Sequence, residues 1–270
     1  MSKKKILLTG DDGYNSAGTR LLIYLLRDDF DLSIAATATQ QSAMGGKISL
    51  ADGFDWYETE VDGIPALCVA GTPADAAELA ITYYKEPFDA VISGLNWGAN
   101  LGTAVFGSGT VNAALRALSV GLAEKAIAIS WDLPPKYYVA KHEADHDISA
   151  FLTYPGNTAA DLIREAFAHN FWGAPLLNIN LPNDPSKGKR FTKAIESSKD
   201  IYDYTASSSG VEEEKNIDKL RHFTYTAIRK YTPNIGDDYD VKALTDGYIS
   251  ITPCTFSIFD HVIYEKITQV

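Results

Sequence analysis

The chain has 270 residues, 46% hydrophobic, 22% charged and 11% aromatic, which suits one large α/β domain and excludes disordered, collagenous and coiled-coil chains. Lysine and arginine number 24 against 35 aspartate and glutamate, a net charge of −11. Such an acidic surface repels a phosphate polymer, which argues against nucleic acid as a partner. Any anionic ligand must then be held locally, by a metal or by backbone N–H groups.

The N-terminal Met1-Ser2-Lys3-Lys4-Lys5 is basic, but the apolar run after it stops at Thr9-Gly10, far short of a secretory core. Lys5 to Thr9 predicts a buried first strand ending at the turn cluster Gly10-Asp11-Asp12-Gly13. The leucines at 21, 22, 25 and 26 predict a helix over Ala17 to Arg27. Asp31 to Ala36 predicts a second strand, and Thr37 to Gly46 a polar loop. Phe54 to Val69 predicts a hairpin turning at Asp62-Gly63. Thr72-Pro73 opens a helix that runs to Tyr84. Asp89 to Ser93 predicts another strand, followed by a glycine-rich loop over Gly94 to Gly107. Ser108 to Val120 predicts a helix and Ala126 to Ser130 a strand.

Strand and helix in alternation predict a Rossmann-like, mostly parallel sheet with helices on both faces. After Trp131 the regularity fades, with a helix expected at Asn157 to Ala168 and a strand at Pro175 to Leu181. Thr192 to Asp246 is polar and tyrosine-rich, and predicts a projecting hairpin or arm. The division expected is a core over 1–191 and a C-terminal arm with closing elements over 192–270. No stretch is apolar for long enough to span a bilayer, so no membrane partner is expected. Two cysteines, Cys68 and Cys254, build no disulfide framework and fit a cytoplasmic protein.

Ligands of open α/β sheets bind beyond the carboxyl ends of the strands. That rule gathers Asp11 and Asp12 after the first strand, Ser42 after the second, and Asn96 after the strand at Asp89 to Ser93. Two carboxylates, a hydroxyl and an amide carbonyl are hard oxygen donors suited to Mg²⁺ or Mn²⁺. The run Gly94-Leu95-Asn96-Trp97-Gly98-Ala99-Asn100-Leu101-Gly102, with glycine at every fourth position, brings backbone close to a ligand. Trp97, inside that run, either shields the site or stacks on a base. Ser108 as N-cap leaves the N–H groups of Gly109 and Thr110 facing outward, a seat for phosphate. A carboxylate ~4 Å from a phosphate opposes it by about 4 kcal/mol at an effective dielectric of 20. One dication cancels that repulsion, polarises the phosphoryl group and acidifies a water, which points to phosphate ester hydrolysis.

These segments, together with Gly71-Thr72-Pro73-Ala74-Asp75, resemble in order and spacing the motifs of the SurE (survival protein E) nucleotidases. Weaker echoes follow at Leu177-Asn178-Ile179-Asn180-Leu181-Pro182 and Gly247 to Pro253. The resemblance implies a divalent-metal 5′-nucleotidase acting on nucleoside 5′- or 3′-monophosphates and sometimes on short polyphosphate. It implies one metal ion held by Asp11, Asp12, Ser42 and Asn96, with Asp11 and Asp12 catalytic. Phosphate would be contacted by Asn100, Ser108, Gly109 and Thr110, and the chain would form a homodimer or homotetramer that exchanges C-terminal elements. The sequence leaves Asp11 two roles, general base or nucleophile. Gly10 stands where the family usually has Asn, Ala36-Thr37 where it usually has Ala-Pro, and Trp131 to Ala150 matches none of its motifs.

Other readings compete less well. His142-Glu143-Ala144-Asp145-His146 spells a zinc-protease string, with Glu165 as a conceivable third ligand. The string needs a long helix, however, and Pro134-Pro135 and Pro155-Gly156 bracket it, so a solvated surface segment is expected. Glycines at 10, 13 and 18 do not have the G-x-G-x-x-G spacing of a dinucleotide site. Adjacent Asp11 and Asp12 likewise fail the Asp-x-Asp spacing of aspartyl-phosphate enzymes. An inactive nucleotide-binding or assembly protein on the same scaffold is the alternative to an enzyme.

Overall fold

The computed structural model describes residues 2–134, 137, 146–196, 202–203, 228–229, 235–255 and 261–268. Among these, nine strands form one sheet in the order β3-β4-β2-β1-β5-β6-β7-β11-β8. β1 (Lys4–Thr9), β2 (Phe30–Thr37), β4 (Ile64–Val69), β5 (Ala90–Trp97), β6 (Ala126–Trp131) and β7 (Leu176–Leu181) make its parallel centre. β3 (Trp56–Val61) is antiparallel to β4, and Asp62 and Gly63 both take the positive φ of a tight hairpin turn. At the other edge β11 (Ile249–Cys254) runs antiparallel to β7 and parallel to β8 (Lys189–Phe191).

Alternation along the strands splits the core into two layers. Ile6, Leu8, Ile92, Ile127 and Ile129 pack beneath α1 (Ala17–Leu26) and α4 (Thr158–Ala168). Leu7, Val91, Ala126 and Ala128 face α2 (Pro73–Tyr84) and α3 (Gly109–Ser119). On that second face Ala77, Ala80, Ala114 and Ala117 keep the helix surfaces shallow, so α2 and α3 lie close to each other and to the sheet. The expected α/β architecture with helices on both faces is the one observed.

One boundary departs from the sequence reading. The glycine-rich loop expected from Gly94 starts later, because β5 continues to Trp97 across a register shift between Ser93 and Asn96. Gly94 reads as loop punctuation, yet it serves close packing: a Cβ there would meet Ile129 O at 2.2 Å.

Beyond residue 191 the described elements divide. α5 (Asp240–Thr245) and β11 return to the main sheet, with Val241 and Leu244 packed on Leu101 and Ile195. β9 (Tyr202–Asp203) and β10 (Ile228–Arg229) form a separate antiparallel pair, and α6 (His261–Thr268) follows. Of the zinc-protease string, 142–145 lie outside the described residues. His146 is half-buried, its ring stacked on Phe151 and set edge-on to Trp97, which differs from a solvated segment. Glu165 pairs with Lys189. No helix among the described residues is long and apolar enough to cross a membrane.

The segment Gly71-Thr72-Pro73-Ala74-Asp75 acts as a fastener. Thr72 caps α2 in a full capping box, and the Asp75 carboxylate accepts from Thr72 N (2.8 Å), Ser49 N (2.9 Å) and Ser49 Oγ (2.7 Å). Burial works against the charged form, but these hydrogen bonds hold the carboxyl below its ordinary range. A depressed carboxyl stabilises the fold above its unfolded pKa and loses that contribution as pH falls. Asp75→Ala should therefore cost about 2 kcal/mol in urea unfolding at pH 7. The penalty should shrink below about pH 4, and a cost that stays constant with pH would contradict the charged clamp.

Candidate active site

The chain leaves β1 at Thr9 and leaves β5 at Trp97, neighbouring strands at the point where the strand order reverses. That reversal opens a crevice at the carboxyl edge, where doubly wound sheets place their ligands. Asp11, Asp12 and Asn96 line one tight recess there, with Thr9, Ser16 and Thr19. The acids are 5% and 8% exposed.

Each acid is fixed by neutral donors. Thr110 Oγ1 donates to Asp11 Oδ1 at 2.6 Å. Trp97 N donates to Asp12 Oδ2 at 2.9 Å, and Gln40 Nε2 to Asp12 Oδ1 at 3.2 Å. Burial, and then the charge of Asp12, push the Asp11 carboxyl well above the ordinary carboxylate range. Burial does the same to Asp12. Two crowded, desolvated carboxylates with an amide on the same recess form a hard oxygen set that lacks countercharge from its named donors. A divalent cation fits that chemistry.

Ser42 is placed less directly. Gln41 N donates to Asp11 O at 2.7 Å, so the loop is tied to the acid corner one residue earlier, while Ser42 itself is exposed. Asn96 turns its Nδ2 onto Gly98 O at 2.7 Å. That bond uses the amide nitrogen and leaves the carbonyl oxygen as the donor atom for a cation.

The start of α3 is built as the capping reading requires, with Ser108 Oγ accepting from Val111 N at 3.0 Å. In this structure the anion at that helix start is the Asp11 carboxylate. It accepts from Thr110, and a Cβ on Gly109 would lie 2.6 Å from Asp11 Oδ2. Only glycine lets helix and acid meet so closely. Gly109 and Thr110 thus border Asp11 directly, just after the Ser108 cap.

Asn100 stands in a clamp that sequence reasoning did not assign. Asn180 Oδ1 accepts from Asn100 N at 2.8 Å, while Asn178 Nδ2 and Asn180 Nδ2 donate to Asn100 O at 2.8 and 3.0 Å. Asn100 Nδ2 in turn donates to Ser130 Oγ at 2.8 Å. Buried Asp240 adds a tether from α5, accepting from Gly102 N at 2.6 Å. The signal for the clamp was available: Asn178 and Asn180 alternate on a buried strand, and a polar pair on one strand face needs partners. Nothing in sequence marked Asp240, which lies 138 residues from Gly102.

Comparison with known proteins gives the family. The family model "Survival protein SurE" matches residues 6–201. The chain belongs to the SurE family. A relative named 5′-nucleotidase SurE from Desulfitobacterium hafniense is 31% identical, covering 98% of this chain and 96% of its own. A like-named protein of Methanopyrus kandleri is 32% identical over 94% of this chain and 92% of its own. The crystal structure of a SurE protein from Aquifex aeolicus superposes with a TM-score of 0.71 at 22% identity over 98% of both chains, a likeness of fold. The matched range includes the acid pair, the Asn96 run and the Ser108 helix start.

The raised carboxyls carry a stability consequence. A carboxyl whose folded pKa lies above its unfolded value favours the fold at low pH and opposes it progressively as pH rises above about 4. Without added divalent cation, Asp11→Asn should therefore melt higher than the unsubstituted chain at pH 8, and the gap should close toward pH 5. A gap that does not depend on pH, read by thermal denaturation in chelator, would contradict the crowding of the two charges.

Proposed function

We propose that this chain is a divalent-cation-dependent phosphomonoesterase that hydrolyses nucleoside 5′-monophosphates to nucleoside and phosphate. Nucleoside 3′-monophosphates and short polyphosphate are its further substrates. One observation carries the reading: a buried, like-charged acid pair at the sheet's switch point, pressed against the start of a helix. The names of the relatives supply the substrate class.

Asp11, Asp12, Asn96 and Ser42 would hold one Mg²⁺ or Mn²⁺. When bound, the ion cancels the pair's charge, polarises the phosphoryl group and acidifies the attacking water. The remaining work belongs to the chain. Thr110 Oγ1 and the Trp97 N–H hold the two carboxylates in fixed orientation. The Ser108 hydroxyl, the N–H groups of Gly109 and Thr110, and the Asn100 amide receive the non-bridging oxygens, where charge grows in the transition state. Asn178 and Asn180 keep Asn100 in place, so its amide meets the phosphate without reorganising.

The reading includes assembly and location. Homodimers or homotetramers would exchange elements beyond Thr192, where the β9–β10 pair stands apart from the main sheet and α6 exposes Tyr264 and Ile267. The two free cysteines suit the reducing cytoplasm.

With Mn²⁺ present, phosphate release from a nucleoside monophosphate should fall at least ~100-fold in Asp11→Asn or Asp12→Asn. Chelator should abolish it in the unsubstituted chain. Full turnover in a folded Asp12→Asn variant would remove the pair from the chemistry. Ser108→Ala should weaken inorganic phosphate binding more than Mn²⁺ binding by calorimetry, whereas Thr110→Val, which also releases Asp11 Oδ1, should weaken both. The opposite order would take the α3 start out of the phosphate seat.

A further inference from the structure

Beside the acid corner the structure has an aromatic chamber that the phosphate chemistry leaves unused. Trp97 and Trp131 are the last residues of β5 and β6 and pair across those strands, so both lie at the same carboxyl edge as Asp11 and Asp12. With Leu133, Tyr137, Phe151 and Asn183 they line a cavity of about 370 Å³. The rings meet as walls of a box. Trp97 stands 88° to Tyr137 and 67° to Phe151, and Trp131 stands 66° to Phe151, at centroid separations of 6.2, 5.7 and 5.6 Å.

Three observations define the guest. The described lining is three kinds of aromatic ring with a leucine, a proline and an amide, surfaces that hold a planar ring through its faces. Trp131 Nε1 is already committed to Asn183 O at 3.1 Å, which leaves the indole to offer its hydrocarbon faces and edges. The Asn183 amide supplies one exposed polar side chain for the edge of a planar ring. Flat, neutral, π-faced and polar at its rim describes a nucleobase, which stacks on aromatic side chains whatever its identity.

The chamber also lies at the right reach. The Trp97 N–H that orients Asp12 belongs to the residue whose indole forms a chamber wall. β5 and β6 stand one and two strands from β1, roughly 5 and 10 Å, a span that a ribose and its base cover together. We propose that this chamber, formed by Trp97, Trp131 and Phe151, seats the base of the nucleoside monophosphate while its phosphate meets Asp11, Asp12 and the start of α3. The proposal rests on the nucleotidase reading and deepens it. It makes the site selective for phosphate esters of nucleosides over esters of bare sugars.

The test compares adenosine 5′-monophosphate with ribose 5-phosphate in the presence of Mn²⁺, for the unsubstituted chain and for Phe151→Ala and Trp131→Leu. The unsubstituted chain should have a KM for the nucleotide at least tenfold below that for the sugar phosphate. Phe151→Ala should raise the nucleotide KM about tenfold, leaving kcat within threefold and the sugar phosphate KM within twofold. Equal KM values for the two esters, or equal shifts for both, would overturn the chamber's role. Calorimetry with adenosine and with choline in chelator gives a readout independent of turnover. Adenosine should bind the unsubstituted chain and lose at least tenfold in Phe151→Ala and in Trp131→Leu. Turnover of the nucleotide without adenosine binding, or choline binding in preference, would overturn the chamber and leave the nucleotidase reading standing. Adenosine binding without phosphate release from either ester would overturn that reading and keep the chamber.

Discussion

Two carboxylates on consecutive residues, both nearly out of reach of solvent, are an arrangement that an isolated peptide would not adopt. Burial and mutual repulsion both oppose their charge. The surrounding structure exists in large part to impose it. β1 delivers the pair at the one place in the sheet where the strand order reverses and a crevice opens. Donors from three separate elements, Thr110, Trp97 and Gln40, fix three of the four oxygens, and all three donors are neutral. A corner so built is receptive to a dication and, with it, to an anion that the rest of this acidic protein repels.

The helix start beside the pair has two tasks that depend on each other. Its N–H groups and dipole soften the cost of Asp11, and the same groups border the space a phosphate would enter. Gly109 is where the two meet, since any side chain there would displace the acid. Ser108 satisfies its own helix by capping, which fixes the geometry of the helix start.

Distant chain segments hold this edge in register. Asn178 and Asn180, on the strand two removed from β5, grip both backbone polar groups of Asn100. Asp240, from the short helix after the polar region, grips Gly102. The C-terminal part therefore completes the site's outer wall through α5 and adds β11 to the sheet, beyond any role in contacts between subunits. The aromatic chamber uses the same edge in a different way, because the rings that end β5 and β6 are ordered by apolar neighbours and by the Trp131 Nε1 bond to Asn183 O.

What the sequence determined by itself is the chemistry and the scaffold. Alternating apolar strands and amphipathic helices specify a parallel sheet, since period-2 and period-3.6 burial cannot be exchanged. Asp62-Gly63, Thr72-Pro73 and Ser108 mark a turn and two helix starts because local dihedrals and caps are short-range. Asp11-Asp12 and the Asn96 run identify the edge for the same reason, and their spacing carried the family resemblance. Tertiary structure decided the rest. That Gly94 serves strand packing, that Asp11 occupies the α3 start, and that Asp240 reaches Gly102 are contacts between segments far apart in the chain. No local pattern encodes such pairings, because they follow from strand order and from which face each strand presents.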